Sequence, residues 1–254
     1  MPMEVKRYFI ELSFNGGAYH GWQRQPNAIS VQQVLEGALS KLLRENIIIL
    51  GAGRTDTGVH ARKMYAHFDL AKAINDPKEL VFLLNGFLPN DIAIKNIHRV
   101  VLSAHARFDA SDRSYEYHIT TVKDPFYVAF NHYLKNIPDI YLMNQATKIL
   151  LDHEDFQCFS KSNTDVKTFL CDIKSAEWRS EGSSLVFYIS ANRFLRNMVR
   201  AIVGTLLEIG FKKKAVEDLE SIIKSRDRCQ AGFSVPAKGL YLTEIQYPQN
   251  IFID

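Results

Sequence analysis

The stretch GAGRTDTGVHAR, residues 51–62, sets one carboxylate, Asp56, two residues after Arg54, with Gly51, Gly53 and Gly58 around them. Glycines let a backbone turn tightly and let a ligand approach closely. In an extended segment Arg54 and Asp56 would point to the same side. Two readings fit: a polar turn closed by a surface ion pair, or a preorganised carboxylate in a loop that touches a ligand.

Three other groups carry chemistry. Arg193, Arg196, Asn197 and Arg200 recur at three- and four-residue steps in FLRNMVRAIVGTLLEIG and its preceding residue, so a helix over 194–210 would place them on one face. That face is either solvated or, beside Ala201, Gly204 and Thr205, packed closely enough that an arginine needs an acidic partner, for which Asp56 is a candidate. Tyr115 and Tyr117 in RSYEYHI share one face of a strand, with Arg107 and Arg113 just upstream. They read as sheet core or as a platform for a stacked base with cations for phosphates. The loop FNGGAYHGWQRQP (14–26) combines Gly16, Gly17 and Gly21 with Tyr19, Trp22, Gln23, Arg24 and Gln25, and either caps a fold or lines a nucleic-acid groove. The KKK run at 212–214 reads as a solvated charge run. The sequence lacks a GxxxxGK[ST] loop, a GxGxxG match and an HExxH pair. His60 is read as structural rather than as a base.

The bulk numbers narrow the class. With 254 residues and 46% hydrophobic content the chain can bury a full core. Its 31 Lys+Arg against 28 Asp+Glu give only +3, so nucleic-acid binding would have to come from local clusters. Cys158, Cys171 and Cys229 lie far apart without metal-ligand spacing, which points to a reduced, cytoplasmic protein without structural zinc. The sequence has no run of membrane-spanning length and no signal-peptide core.

The elements that must position these groups follow from periodicity. Residues 6–14 alternate, with Tyr8, Ile10, Leu12 and Phe14 on one side, and read as a strand. Residues 30–45 read as a helix with Ser30 and Gln33 as a capping box. A short buried strand over 46–50, a strand over 62–70, a helix over 76–88 and a strand over 91–100 complete a β-α-β-β-α-β order. The second half repeats it: strand 112–122, helix 140–152, strands 167–179 and 183–191 about a Glu181-Gly182 turn, helices 194–210 and about 214–224, and strand 239–247. This predicts an α+β protein of two ferredoxin-like halves, 1–106 and 107–254, with a cleft between them as the ligand site.

GAGRTDTGVHAR is very similar to the catalytic motif of the tRNA pseudouridine synthase A family. The resemblance continues in order through FNGGAYHGWQRQ, SVQQVLEGAL, NGFLPNDIAI, HARFDASDRSYEYHI, EDFQCFS, NRFLRNMVRAIVGTLLEIG and GLYLTEIQY. It implies the pseudouridine synthase fold: two ferredoxin-like halves forming one extended mixed or antiparallel sheet, with helices packed on one side and a basic cleft. It also implies isomerisation of uridine to pseudouridine in the anticodon arm of tRNA, without metal or cofactor, by a homodimer. On the matching positions Asp56 is the catalytic carboxylate, Tyr115 the active-site tyrosine and Arg200 the arginine paired with the aspartate. Arg54 helps expose the target nucleotide and Leu240 lines the uracil pocket. Flipping a stacked uridine costs a few kcal/mol that backbone contacts must offset, which is the part expected of Arg54, Arg24, Arg193 and Arg196. This chain has Thr57 where the family has alanine, and Cys171-Asp172 where many members carry a basic residue. The alternatives are a catalytically silent tRNA-binding module and, more weakly, a nucleoside hydrolase, for which a second carboxylate or a metal would be needed.

Overall fold

The computed structural model describes residues 5–161 and 166–253. It contains two compact units, one running through Ser111 and resuming at Leu242, the other Asp112–Tyr241. The expected boundary at 106/107 falls in the segment between the strands that end the first unit's main run and open the second unit.

The first unit holds β1 (Lys6–Phe14), α1 (Val31–Leu43), β2 (Leu50–Gly51), β3 (His60–Leu70), α2 (Pro77–Phe87) and β4 (Ile92–Val100). β1 is central, antiparallel to β3 on one side and β4 on the other, and β2 pairs antiparallel with β3. This is the split β-α-β arrangement of a ferredoxin-like unit. The helices start where the sequence supplies caps: the Ser30 hydroxyl accepts from Gln33 N, and the Asp76 carboxylate accepts from Lys78 N and Glu79 N, satisfying donors that lack an intrahelical partner.

One local expectation needs correction. The segment 46–50 is not a buried strand. Ile47 and Ile49 are buried but Ile48 and Leu50 are exposed, and only Leu50–Gly51 joins the ladder. Its backbone is instead held from α1, where the Glu36 carboxylate accepts from Ile49 N at 3.1 Å and Gln32 Nε2 donates to Ile49 O at 3.0 Å. β1 is the strand expected over 6–14, and it is buried on both faces. Phe9, on the face opposite Ile10, is fully buried, with the Tyr247 ring edge-on at 5.1 Å and the Phe252 ring at 6.2 Å. The C-terminal segment therefore covers a second face that simple alternation assigns to solvent.

The second unit holds β5 (Asp112–Thr120), β6 (His132–Tyr133), α3 (Ile140–Leu151), β7 (Ile173–Glu181), β8 (Ser184–Ala191), α4 (Met198–Gly210) and α5 (Asp218–Ser225). β8 runs antiparallel between β5 and β7, and β6 pairs parallel with β5. The chain then enters β9 (Leu240–Gln246), whose residues from Leu242 belong to the first unit. The α+β class follows the expectation, and the element order differs from it by the added short β6. β7 begins at Ile173 rather than 167. Residues 169–171 bond instead to the 154–156 turn, with Phe156 N donating to Phe169 O and Cys171 N to Glu154 O. Among the described residues no helix is long and apolar enough to cross a membrane.

Burial sets an acid limit on the first unit. His67 on β3 is 3% exposed and its Nδ1 accepts from Ala106 N. Burial first, then the Arg7 and His105 charges, hold its pKa down at about 4. His105 shifts the same way. The folded state keeps His67 neutral while the unfolded chain takes up a proton near pH 6.5, so stability falls as pH drops from about 6.5 toward 4. Thermal unfolding of the wild type should show a midpoint that declines between pH 7 and pH 5. His67→Asn, which retains an acceptor in place of Nδ1, should unfold at lower temperature throughout but with a shallower decline. Parallel declines in the two proteins would contradict this assignment.

Candidate active site

The Asp56 loop has no ladder of its own. Between Gly51 and His60 the backbone leaves the sheet and turns at Thr57-Gly58, with Val59 N donating to Asp56 O at 3.1 Å. Arg54 and Asp56 therefore lie in a loop between strands, as expected. Arg54 is exposed and Asp56 half-buried. The loop takes its shape from the glycine loop that follows β1. A Cβ at Gly21, whose φ is +81°, would overlap the Thr55 carbonyl oxygen, and one at Gly16 would overlap the Val59 carbonyl oxygen. Gly51 lies against the indole of Trp22, which is buried beside Phe14. Gly58 N donates to Tyr19 O at 3.4 Å, and the Tyr19 hydroxyl donates to Asp91 at 2.6 Å. His60 has the structural part expected of it: buried, with Nδ1 accepting from Gly16 N at 3.1 Å.

The same glycine loop continues into α1. Val31 N and Gln32 N donate to the carbonyls of Gly21 and Trp22. Arg24 is exposed, its backbone N–H bound by Gln32 Oε1 and its guanidinium 3.7 Å from the Glu36 carboxylate. That ion pair spans a largely exposed arginine and leaves little stabilisation at stake. Thr57 is exposed, and its extra hydroxyl faces no packing constraint.

The other site residues lie on the second unit. Tyr115 on β5 is half-buried, opposite Ile189 of β8, and meets the Phe194 ring edge-on at 5.1 Å. Tyr117 is core: fully buried, with its hydroxyl donating to Pro236 O at 2.9 Å. Burial pushes its phenol pKa up, opposed by the nearby Arg200 charge. α4 starts at Met198, four residues later than expected. Asn197 adopts a left-handed backbone, φ +69°, a conformation asparagine tolerates and a continuing right-handed helix excludes. Arg193 and Arg196 consequently do not share a helical face with Arg200. Arg193 is half-buried, and Arg196 is exposed in the turn before α4, its carbonyl accepting from Lys161 N.

Arg200 is half-buried, and its Nε donates to Val235 O at 2.7 Å. The segment that binds it also carries Pro236, which takes the Tyr117 hydroxyl, and Gly239, which packs on the Tyr117 ring just before the buried Leu240. Arg200, Tyr117 and Leu240 are thus joined through residues 235–240. Spacing alone gave no sign of this segment, of Glu36 or of Arg228 beneath it. Among the described residues no group of three or more His, Cys, Asp or Glu could hold a metal ion.

The first unit thus offers a half-buried carboxylate on a glycine-packed loop and the second an arginine anchored by a backbone carbonyl, and similarity to known proteins gives the class. The profile of the tRNA pseudouridine synthase family matches residues 12–109 and 146–248, so the chain belongs to that family and is an isomerase of that class. The first match spans Arg24, Arg54 and Asp56, the second Arg193, Arg196, Arg200 and Leu240; Tyr115 lies between them. The chain is 50% identical over 248 residues to tRNA pseudouridine synthase A of Parabacteroides distasonis, covering 98% of each. It is 50% identical over 251 residues to the Bacteroides fragilis protein of that name, 98% and 100% covered. It is also 36% identical over 250 residues to that of Francisella tularensis subsp. holarctica, 98% and 96% covered.

The glycine contacts define a test. Gly21→Ala should lower the rate of pseudouridine formation by on the order of a hundredfold, because the Asp56 loop must shift to admit the Cβ. Gly37→Ala on α1, where a Cβ meets nothing within 4 Å, should raise stability by up to about 1 kcal/mol and leave the rate unchanged. A Gly21→Ala enzyme of wild-type rate would show that the loop does not depend on this contact.

Proposed function

We propose that this chain converts uridine to pseudouridine in the anticodon arm of tRNA, with Asp56 as the catalytic carboxylate. The observation that carries the reading is the Asp56 loop itself: a half-buried carboxylate on a segment fixed by backbone packing against Gly16 and Gly21. A polar surface turn would need no such anchoring. An aspartate used only to bind a polyanion would oppose binding.

The reaction breaks the bond from uracil N1 to C1′, rotates the base and bonds C5 to C1′; C5 gives up its proton and N1 takes one up, so the product is an isomer. Asp56 supplies negative charge to the carbon left electron-poor when the glycosidic bond breaks. A carboxylate must stay ionised while water is kept out, since water would hydrolyse the intermediate, and burial alone favours its neutral form. Arg200 is the guanidinium that opposes that effect. Tyr115 stacks on the uracil and assists loss of the C5 proton, and Leu240 lines the pocket for the base. Arg54 helps hold the nucleotide out of its stack, and together with Arg24, Arg193 and Arg196 it contacts the phosphate backbone. The protein acts in the cytoplasm as a homodimer. Two copies gather their cationic side chains around one tRNA, which accommodates a net charge of only +3 per chain. Catalysis requires no metal or cofactor in this reading.

Position-resolved chemical mapping of pseudouridine in unmodified tRNA transcripts tests the proposal. Product confined to the anticodon arm is expected. Product elsewhere in the tRNA would overturn the assigned position, and tRNA binding without product would establish a silent binding module. The phosphate contacts have their own signature. The logarithm of tRNA affinity should fall linearly with the logarithm of salt concentration, and Arg54→Gln should reduce that slope by about 0.7–0.9. An unchanged slope would remove Arg54 from the phosphate contacts.

A further inference from the structure

Residues 228–236 form a strap over the first half of α4. Its backbone lies directly on the helix: a Cβ at Gly204 would overlap the Phe233 carbonyl oxygen, and Gly232 N donates to Thr205 Oγ1 at 2.8 Å. Arg228 holds the strap from below. Its Nη1 donates to Ala231 O at 3.3 Å and Gly232 O at 3.0 Å, and its Nη2 donates to Ser234 Oγ at 2.9 Å. That hydroxyl oxygen also accepts from Asn197 Nδ2 at 2.6 Å, using both lone pairs. Asn197 is the left-handed residue on which α4 begins. The next residue of the strap, Val235, takes Arg200 Nε–H on its carbonyl at 2.7 Å and donates its own N–H to Arg200 O at 3.3 Å.

A guanidinium that donates Nε–H to one fixed carbonyl has the rotation of its plane set by that carbonyl. The position of the Val235 carbonyl is set in turn by Ser234 and by Pro236, whose own carbonyl accepts the Tyr117 hydroxyl. We propose that Arg228 is a positioning residue for uridine isomerisation: acting through Ser234 and Val235, it fixes the orientation of the Arg200 guanidinium. This rests on the reading of Arg200 as the cation paired with the catalytic carboxylate. The fork of Arg228 reaches three acceptors at once, a geometry that lysine, a point charge on a flexible stem, does not reproduce.

The test uses full-length Arg228→Lys and Ser234→Ala. The second removes one hydroxyl oxygen and decides the matter if the first does not fold. Three quantities are measured: the single-turnover rate on tRNA, tRNA affinity, and hydrogen exchange of the Arg200 Nε–H in protein labelled with nitrogen-15 arginine, assigned by its loss in Arg200→Lys. Both variants should react on the order of 10- to 100-fold more slowly with tRNA affinity within about threefold of wild type, as misplacement of a catalytic group produces. Both should also exchange the Arg200 Nε–H faster. Wild-type rates in both variants would overturn the proposal, as would slower reaction with unchanged exchange at Arg200. Arg200→Gln at the wild-type rate would overturn the underlying reading of Arg200 and the proposal with it, and so separates the two failures.

Discussion

A loop without secondary structure can hold a side chain in one place only if something else fixes its backbone, and here that something is a second loop at near contact. The Thr55–Val59 backbone lies so close to Gly16 and Gly21 that neither position has room for a Cβ. Packing of main chain against main chain leaves few alternative arrangements, because no side chain between them can change rotamer and absorb a shift. The same glycine loop accepts the first hydrogen bonds of α1, and α1 in turn holds Ile49 through Gln32 and Glu36 and Ile47 through Ser40. The carboxylate is thereby tied to the helix and sheet of its unit at both ends of its own loop.

The second unit meets the same physical requirement with different groups. Arg200 is a long side chain with rotamer entropy to lose, and it is ordered by a backbone carbonyl from a strap that is itself ordered by another arginine. Small residues again allow the approach, at Gly204 and Gly232. In both units main-chain atoms do the positioning, fixing the loop that bears Asp56 and holding the Arg200 guanidinium, and they lose fewer degrees of freedom on ordering than flexible side chains would.

How much of this was legible depended on whether the signal was local. The strand over 6–14, the strand beginning at Asp112 and the helix capped at Ser30 follow from periodicity and capping chemistry written in adjacent residues. The start of α4 was missed because FLRN continues a helical apolar pattern, while Asn197 adopts a left-handed backbone that no spacing rule reveals. Strand 46–50 was overread because a run of isoleucines looks buried whichever face it shows, and only alternate residues are. At the site, the glycines of 16–21 and 51–58 were visible as two separate loops. That one needs the other is a tertiary fact, as is the link from Arg228 to Arg200, whose members lie 28 residues apart.

The central claim is that Asp56 does chemistry rather than closing a turn. Asp56→Asn keeps the side chain's shape and removes its charge. With tRNA carrying uridine tritiated at C5, replacement of the C5–H bond by a bond to C1′ releases tritium to water. The account predicts release at least about a thousandfold slower in Asp56→Asn than in the wild type, the scale of removing a principal catalytic group, with tRNA bound as tightly or more tightly. Release at comparable rates from the two proteins would contradict it and return Asp56 to a structural role in its loop.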